Sequence, residues 1–357
     1  MEVDFPYPIA LKAVWLDKEA VRLCWLDTTK LPFEEVVRCT DDPAVVAEAI
    51  KNMEIRGAPA IGVAAALTIA TYSLKISSSK AKDEFINAII KAVETLSQTR
   101  PTAYNLFYAL ERLKKVLLNT AQTTDDTVKI AQRVAEEALS IYREDVEANI
   151  RIGELGAELV PDRATILTHC NAGALATSAY GTALAIIRIA HYKGKKVRVI
   201  ATETRPVLQG ARLTVYELVK EGIPVTLITD NTAGLILRKK LVDLVVVGAD
   251  RITREGYVVN KIGTYMIALA ASRNKVPFYV AAPTSTIDMS KTIEEVVIEE
   301  RDSREVKYIR GIPITLEEVP ALNYAFDVTD PDLVTAIITE KGIVYPPYSE
   351  NLKKIFQ

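Results

Sequence analysis

The sequence predicts an α/β protein in two parts: a small, mainly helical amino-terminal domain over residues 1–140, then a doubly wound parallel sheet over residues 141–357. Three observations carry that expectation. In the second half, five short apolar runs each stop abruptly at a polar cluster. β-Branched runs of about five residues separated by helical stretches indicate parallel strands buried on both faces. In the first half, from Asp42 onward, apolar residues recur at helical spacing instead. Finally, 357 residues exceed one typical hydrophobic core, so two domains are the default.

Taken in order, residues 10–40 alternate well enough for a small sheet, through Ala13-Val14-Trp15-Leu16 and then Ala20 to Leu26. Short loops around Asp17-Lys18 and Asp27-Thr28 suggest hairpin turns. Asp42-Pro43 opens a helix, with Asp at the cap and Pro at the first helical position. Its apolar face is Val45, Val46, Ala49, Ile50 and Met53. Further helices are expected at 59–75, 81–97, 102–119 and 126–150, with polar loops at Lys75–Lys80 and Asn119–Asp126. No internal repeat or low-complexity tract interrupts them. After Gly156 strands and helices alternate, with right-handed crossovers expected. The strand runs end at His169-Cys170-Asn171, at Thr202 to Pro206, at Thr229-Asp230-Asn231, at Asp250-Arg251 and at Pro283 to Thr286. A last helix is expected at Asp330–Thr339, capped by Asp330-Pro331.

Hydrophobic residues make up 49% and charged residues 25%, the composition of an ordinary globular protein. A net charge of −2 supplies no general attraction to nucleic acid or to an acidic membrane. A phosphate-bearing ligand therefore needs a local cluster of positive groups. Three cysteines, Cys24, Cys39 and Cys170, cannot make a disulfide framework, and an odd count leaves at least one free thiol. A reducing, cytoplasmic compartment is the natural expectation. Met1 to Asp4 does not resemble a signal peptide. The longest apolar segment, Ala58 to Thr71, has about 14 residues against the roughly 20 needed to span a bilayer.

In a parallel sheet, ligands bind at the carboxyl ends of the strands, where the polar clusters fall here. Cys170 follows one strand and precedes a small-residue helix from Gly173 to Ala179, so its sulfur is expected near a helix amino terminus that favours a thiolate. The alternative is a buried structural cysteine. Asp250 ends an apolar strand, where desolvation suits it to act as a general acid; the alternative is a helix cap or a partner for Arg251. Arg56-Gly57-Ala58-Pro59 opens a helix whose free amides, with Arg56 beside them, make an anion site. A tightly packed helix needing small residues explains the same segment. Arg100 opens another helix and can hold a phosphate or be a surface charge. Gln209, Asn260 and Lys261 offer hydrogen bonds to hydroxyls and a point charge. No Gly-x-x-x-x-Gly-Lys-Ser/Thr segment occurs, nor Gly-x-Gly-x-x-Gly after a strand. The only histidines, His169 and His191, do not assemble a zinc site or a Ser–His triad, and His169 reads as a core or orienting residue.

Together these segments resemble the methylthioribose-1-phosphate isomerase family. The resemblance rests on Ile55 to Gly62, Thr99 to Ala103 with Asn105-Leu106, Leu167 to Asn171, and Glu203 to Arg212. It continues through Val247 to Ile252, Asn260 to Tyr265, Ile298 to Arg301 and Ala325 to Thr329, spanning nearly the whole chain. It implies a helical domain joined to a Rossmann-like domain, usually as a homodimer, acting on a sugar 1-phosphate without cofactor or metal. It also implies Cys170 and Asp250 as the catalytic pair, with Arg56, Gly57, Ala58, Arg100, Gln209, Asn260 and Lys261 lining the substrate site. Ala172 and Asp230-Asn231-Thr232 depart from the family's usual Thr and Asp-Ser-Met, around the sugar's far end. Three alternatives remain: an isomerase of ribose 1,5-bisphosphate, an isomerase of 5-deoxyribose 1-phosphate, and a non-catalytic regulatory subunit like those of initiation factor 2B.

Overall fold

The structure, a computed structural model, describes residues 5–100 and 104–356. Its contacts divide the chain into two compact units, Met1–Ala148 with Ala174–Gly181, and Asn149–Gly173 with Thr182–Gln357.

The first unit opens with an antiparallel sheet in the order β1 (Val14–Asp17), β2 (Arg22–Leu26), β3 (Val37–Thr40). The first connection is the short turn expected, whereas residues 27–36 make a longer loop. Cys24 and Cys39 face each other in the β2–β3 register and are joined in a disulfide. The odd count of three requires one cysteine outside any disulfide and says nothing of whether the other two pair. Cross-strand register brings Cys24 and Cys39 together, and Cys170 is the cysteine outside a disulfide among the described residues.

Helices follow as α1 (Pro43–Lys51), α2 (Ala58–Ile76), α3 (Lys82–Ser97), α4 (Tyr104–Ala121) and α5 (Thr127–Glu158). Asp42 caps α1 by accepting the Ala44 amide at 2.8 Å, with Pro43 at the start of the helix. The expected α4 start at Thr102-Ala103 lies outside the described residues. The boundary expected at 140/141 falls inside α5.

Helix α2 is apolar on every side because every side is covered. It is 19 residues long, longer than the run read from sequence, and by length and composition it could cross a membrane. However, 78% of its apolar window is buried against the protein. Its small residues allow close approach: a Cβ on Gly62 would lie 2.7 Å from the Asn105 carbonyl on α4.

The second unit is built on a seven-stranded sheet. Its parallel members are β4 (Thr165–Thr168), β5 (Arg198–Thr202), β6 (Val225–Ile228), β7 (Leu244–Val247), β10 (Phe278–Ala281) and β15 (Ala336–Thr339). The antiparallel β16 (Gly342–Val344) closes one edge, in the order β16-β15-β10-β7-β4-β5-β6. Helices α6 (Ala183–Tyr192), α7 (Val215–Lys220) and α8 (Thr232–Arg238) separate β4 through β7. The chain builds outward from β4 to β6, then returns to lay β7 on the other side of β4. The strand order therefore reverses between β4 and β7, the position at which open α/β sheets form a ligand crevice.

Around this sheet lie β8 (Arg251–Thr253), β9 (Val258–Lys261), β11 (Ile287–Asp288) and β14 (Phe326–Thr329), in the order β11-β8-β9-β14, and a hairpin of β12 (Tyr308–Ile309) and β13 (Ile312–Pro313). Helix α9 (Thr264–Asn274) connects β9 to β10.

Two expectations change. All five apolar runs are parallel strands, but β6 is the sheet's edge and leaves Thr226 and Leu227 exposed. The helix expected at Asp330–Thr339 is a single 3₁₀ turn, Pro331–Leu333, followed by β15. Its run Val334 to Thr339 is mostly β-branched, and the sheet supplies partners that a local cap signal cannot outweigh.

Gly57, the cap of α2, has φ +91°, and a Cβ there would lie 2.5 Å from the Ala176 backbone. Gly57→Ala is expected to cost about 2 kcal/mol or more, measured as a fall in the denaturant midpoint. An unchanged midpoint would contradict this packing.

Candidate active site

Strands β4 and β7 lie side by side with Leu167 opposite Val245, so the segments that leave them emerge together on one edge of the sheet. Beyond the strands, a Cβ on Gly248 would lie 2.7 Å from that of Ala172. Glycine is what lets the two chains close up here. Cys170 and Asp250 each stand two residues from this contact, which puts both on the same lip of the sheet.

Cys170 is buried and has φ +63°, the left-handed region that non-glycine residues rarely occupy. Its amide donates to Thr204 Oγ1 at 2.9 Å, and its carbonyl accepts from Thr214 Oγ1 at 2.6 Å. The helix expected directly after it is absent. Ala174–Ala176 makes only a 3₁₀ turn, and α6 starts at Ala183. The α-helix start expected next to the sulfur is therefore not supplied by this segment. Left-handed backbone at Cys170 sends the chain away from a helical path.

His169 is fully enclosed. Its Nε2 lies 2.9 Å from the Ile262 carbonyl and its Nδ1 lies 2.6 Å from Thr202 Oγ1. A carbonyl only accepts, so Nε2 carries the proton and Nδ1 accepts from the threonine. Burial lowers the imidazole's pKa, which agrees with a neutral ring. The hydroxyls of Thr202 and Thr204 are 3.2 Å apart. A hydrogen-bonded line thus runs from the Cys170 amide through Thr204, Thr202 and His169 to Ile262. It ties together the ends of β4, β5 and β9, and His169 is the orienting residue the sequence suggested.

Gln209 sits just before a π turn, Gly210–Thr214. Any side chain at 210 would collide with the Thr202 carbonyl, at 1.8 Å from a Cβ. Gln209 is 7% exposed, and its Oε1 is buried without a hydrogen-bond partner. Such an orphan acceptor is costly unless a ligand satisfies it. Asp230 accepts the amides of Thr204 and Arg205, both at 2.7 Å, which fixes the loop leading to Gln209.

Asn260 and Lys261 end β9. The Asn260 amide donates to Thr264 Oγ1 at 3.0 Å, and the Lys261 ammonium stands 4.8 Å from the Phe326 ring centre. Asp327 lies opposite Asn260 on β14 and caps α9, accepting the amides of Gly263 at 2.7 Å and Tyr265 at 3.1 Å. Gly263, at φ +103°, leaves room for the His169 ring. Asp250 is half-buried, its amide donating to the Val259 carbonyl at 2.9 Å. Its neighbour Arg251 stands 3.6 Å from Asp288.

Cys170, Gln209, Asp250, Asn260 and Lys261 all belong to the second unit. Arg56, Gly57, Ala58 and Arg100 belong to the first: Arg56 to Ala58 at the start of α2, and half-buried Arg100 just after α3. Sequence reasoning missed Thr202, Thr204, Thr214 and Asp327, which hold the loops of this edge. Threonines at strand ends and an acid in a β-branched run carry no local signal of that duty.

A family model described as the initiation factor 2 subunit family matches residues 54–346. The chain belongs to that family. It is 55% identical to the methylthioribose-1-phosphate isomerase of Desulforamulus reducens over 92% of this chain and 95% of that one. Among solved structures, it matches 5-methylthioribose 1-phosphate isomerase from Pyrococcus horikoshii OT3 with a TM-score of 0.92 and 43% identity, covering 100% and 99% of the two chains. It also matches a translation initiation factor eIF-2B subunit delta from A. fulgidus, with a TM-score of 0.87 and 43% identity over 97% and 99%. The resemblance to the methylthioribose-1-phosphate isomerases therefore holds across the initiation factor 2 subunit scaffold.

Burial pushes the Asp327 carboxyl up to about 6, against the pull of the amides it accepts. A carboxyl raised on folding favours the folded state while protonated. That contribution is full below about 4 and is lost as pH rises through about 6, a change of up to about 3 kcal/mol. Denaturant unfolding of the protein and of Asp327→Asn across this range should show the slope only in the former. Carbon NMR should place the Asp327 midpoint near 6; a midpoint at or below 4 would contradict the assignment.

Proposed function

We propose that this protein converts 5-methylthioribose 1-phosphate to 5-methylthioribulose 1-phosphate, an aldose–ketose isomerisation in methionine salvage. The observation that carries the reading is the emergence of a thiol and a carboxyl, Cys170 and Asp250, from adjacent strands at the sheet's switch point. The 55% identity to a methylthioribose-1-phosphate isomerase over nearly the full length supports that choice of substrate.

In such a substrate the anomeric oxygen carries phosphate, so the ring cannot open to a free aldehyde. Asp250, protonated, donates to the ring oxygen as the bond from C1 to that oxygen breaks. Hydrogen then moves from C2 to C1 and a carbonyl forms at C2. It travels either as hydride or through an enediol-type route in which Cys170 takes the C2 proton and returns it to C1; on both routes the 2-hydroxyl proton passes to a base as the C2 carbonyl forms. One carbon is oxidised as its neighbour is reduced, so the reaction is redox-neutral and needs no external electron carrier. The orphan Oε1 of Gln209 supplies an acceptor for a sugar hydroxyl, and Asn260 is a second orienting group. Lys261 supplies positive charge for the phosphate. The proposal extends to Arg56, the amides of Gly57 and Ala58, and Arg100 as further phosphate ligands, on the family likeness alone.

A second reading follows from the solved structure named as an initiation factor eIF-2B subunit, which is 43% identical, as is the solved isomerase. A regulatory subunit has no need of a thiol and a carboxyl on one strand edge, so the enzyme reading is preferred. The purified protein should be offered methylthioribose 1-phosphate, 5-deoxyribose 1-phosphate and ribose 1,5-bisphosphate, with ketose formation followed directly. The first should show the highest kcat/KM, and Asp250→Asn should lower its kcat by about 10³ or more while binding stays measurable. Preference for the bisphosphate would overturn the substrate. No turnover together with stable binding to an initiation factor would overturn the enzyme.

We further propose a cytoplasmic homodimer. Ile312, Ile314, Leu316 and Leu322 are each more than half exposed within one short stretch of the second unit, and exposed apolar residues so grouped suit a protein interface. Light scattering should give twice the 39.3 kDa chain mass, falling to one chain mass when Ile312 and Leu316 are both changed to Asp. A monomer in the unaltered protein would end that part of the proposal.

A further inference from the structure

Behind the Cys170 loop lies a buried ionic cluster. Arg188 of α6 donates through Nη2 to Glu217 Oε2 at 2.5 Å and through Nε to both oxygens of Glu221, at 2.8 and 2.6 Å. Arg188 and Glu217 have side chains 1% and 0% exposed. Taking three charges out of water is unfavourable, and such a cluster is a weak source of stability compared with apolar packing. Burial, with the Glu217 carboxylate adding to it, raises the Glu221 pKa despite the pull of Arg188. A duty other than stability is therefore to be sought.

The remaining contacts of Glu217 define it. Its Oε1 accepts from Asn171 Nδ2 at 2.8 Å, and Asn171 follows Cys170 directly. The same Asn171 amide donates to Thr214 Oγ1 at 3.2 Å, and Thr214 donates to the Cys170 carbonyl at 2.6 Å. At Gly173, a Cβ would lie 2.3–2.6 Å from the Glu217 carboxylate, so the loop wraps against this group on both sides of Ala172. Thr214 also ends the π turn that Gln209 opens.

We propose that Glu217, anchored by Arg188, is a positioning residue for the isomerisation. Through Asn171 and Thr214 it holds Cys170 in its left-handed conformation, and through the π turn it sets Gln209. This inference rests on the reading of Cys170 as a reacting group. Left-handed backbone at a residue with a side chain is unfavourable, and it persists only where the surroundings over-determine it. The two carbonyl-side contacts, Thr214 and Asn171–Glu217, supply that over-determination.

The test uses the full-length protein and three variants: Glu217→Gln, Thr214→Val and Thr214→Ser. Thr214→Val keeps the ionic cluster whole, so it serves even where Glu217→Gln fails to fold. Two quantities are read. The first is the split of kcat from KM on methylthioribose 1-phosphate. The second is the rate at which iodoacetamide alkylates Cys170, which needs no turnover. The expected result is a fall in kcat of about 30-fold for Thr214→Val and Glu217→Gln, with KM within about threefold and Thr214→Ser close to the unaltered protein. Alkylation should quicken by about threefold or more in the same two variants, as the loop gains access to other conformations. Folded Thr214→Val with unchanged kcat and alkylation would overturn the proposal. So would equal loss in Thr214→Ser, since the hydroxyl would then not be the link. If the unaltered protein turned over no sugar phosphate, the proposed function would fall, while alkylation of the variants would still decide whether Glu217 and Thr214 hold Cys170.

Discussion

A cysteine whose backbone lies in the left-handed region must be gripped on both of its peptide groups, and much of the second unit is arranged to do so. The Cys170 amide is taken by Thr204 from the end of β5, and its carbonyl by Thr214 from the π turn before α7. Each bond is worth only about 1 kcal/mol net, comparable to the conformational cost, so neither alone would hold the loop. The twin grip explains why β4 and β5 must be neighbours and why the chain distorts into a π turn after Gln209. The distortion sits where π turns are common, beside a functional edge.

Carboxylates do much of the structural work around this edge. Asp230 closes the loop after β5, Asp327 closes the start of α9, and Glu217 closes the loop after Cys170; the first two do so by accepting backbone amides in pairs. Charge-assisted bonds of this kind are stronger than neutral ones and direct the loops without needing a large core beneath them. The neutral, enclosed His169 adds a rigid crossbar to the β9–α9 junction. Anchored on so many sides, the edge is suited to holding reacting groups in place, which is the contribution a rigid scaffold makes to catalysis.

The same scaffold carries proteins named as isomerases and as initiation factor subunits at equal identity to this chain. Overall shape therefore says little about activity, and the proposed reading rests on the few side chains on the strand edge. Cys170, Asp250 and the unsatisfied acceptor of Gln209 are the features that a purely structural subunit has no reason to keep.

Local features were legible in the chain itself. The β-branched runs announced β4, β5, β6, β7 and β10, Asp42-Pro43 announced α1, and the polar clusters fell at the strand ends, on the edge proposed to carry the site. Where a local signal pointed the wrong way, a partner distant in the chain prevailed. Ala336 to Thr339 became a strand because β10 and β16 flank it, and only a 3₁₀ turn follows Cys170 directly, in a loop drawn toward Glu217, 47 residues beyond Cys170. The Cys24–Cys39 bond likewise depends on strand register. Only the tertiary structure decided the order of strands, and with it the meeting of β4 and β7 that sets Cys170 and Asp250 on one lip. The tie of His169 to Ile262 and the burial of Arg188 with two glutamates belong to the same class. Periodicity and caps are properties of a few neighbouring residues, whereas register, closure and buried charge depend on groups that only the folded chain brings within reach.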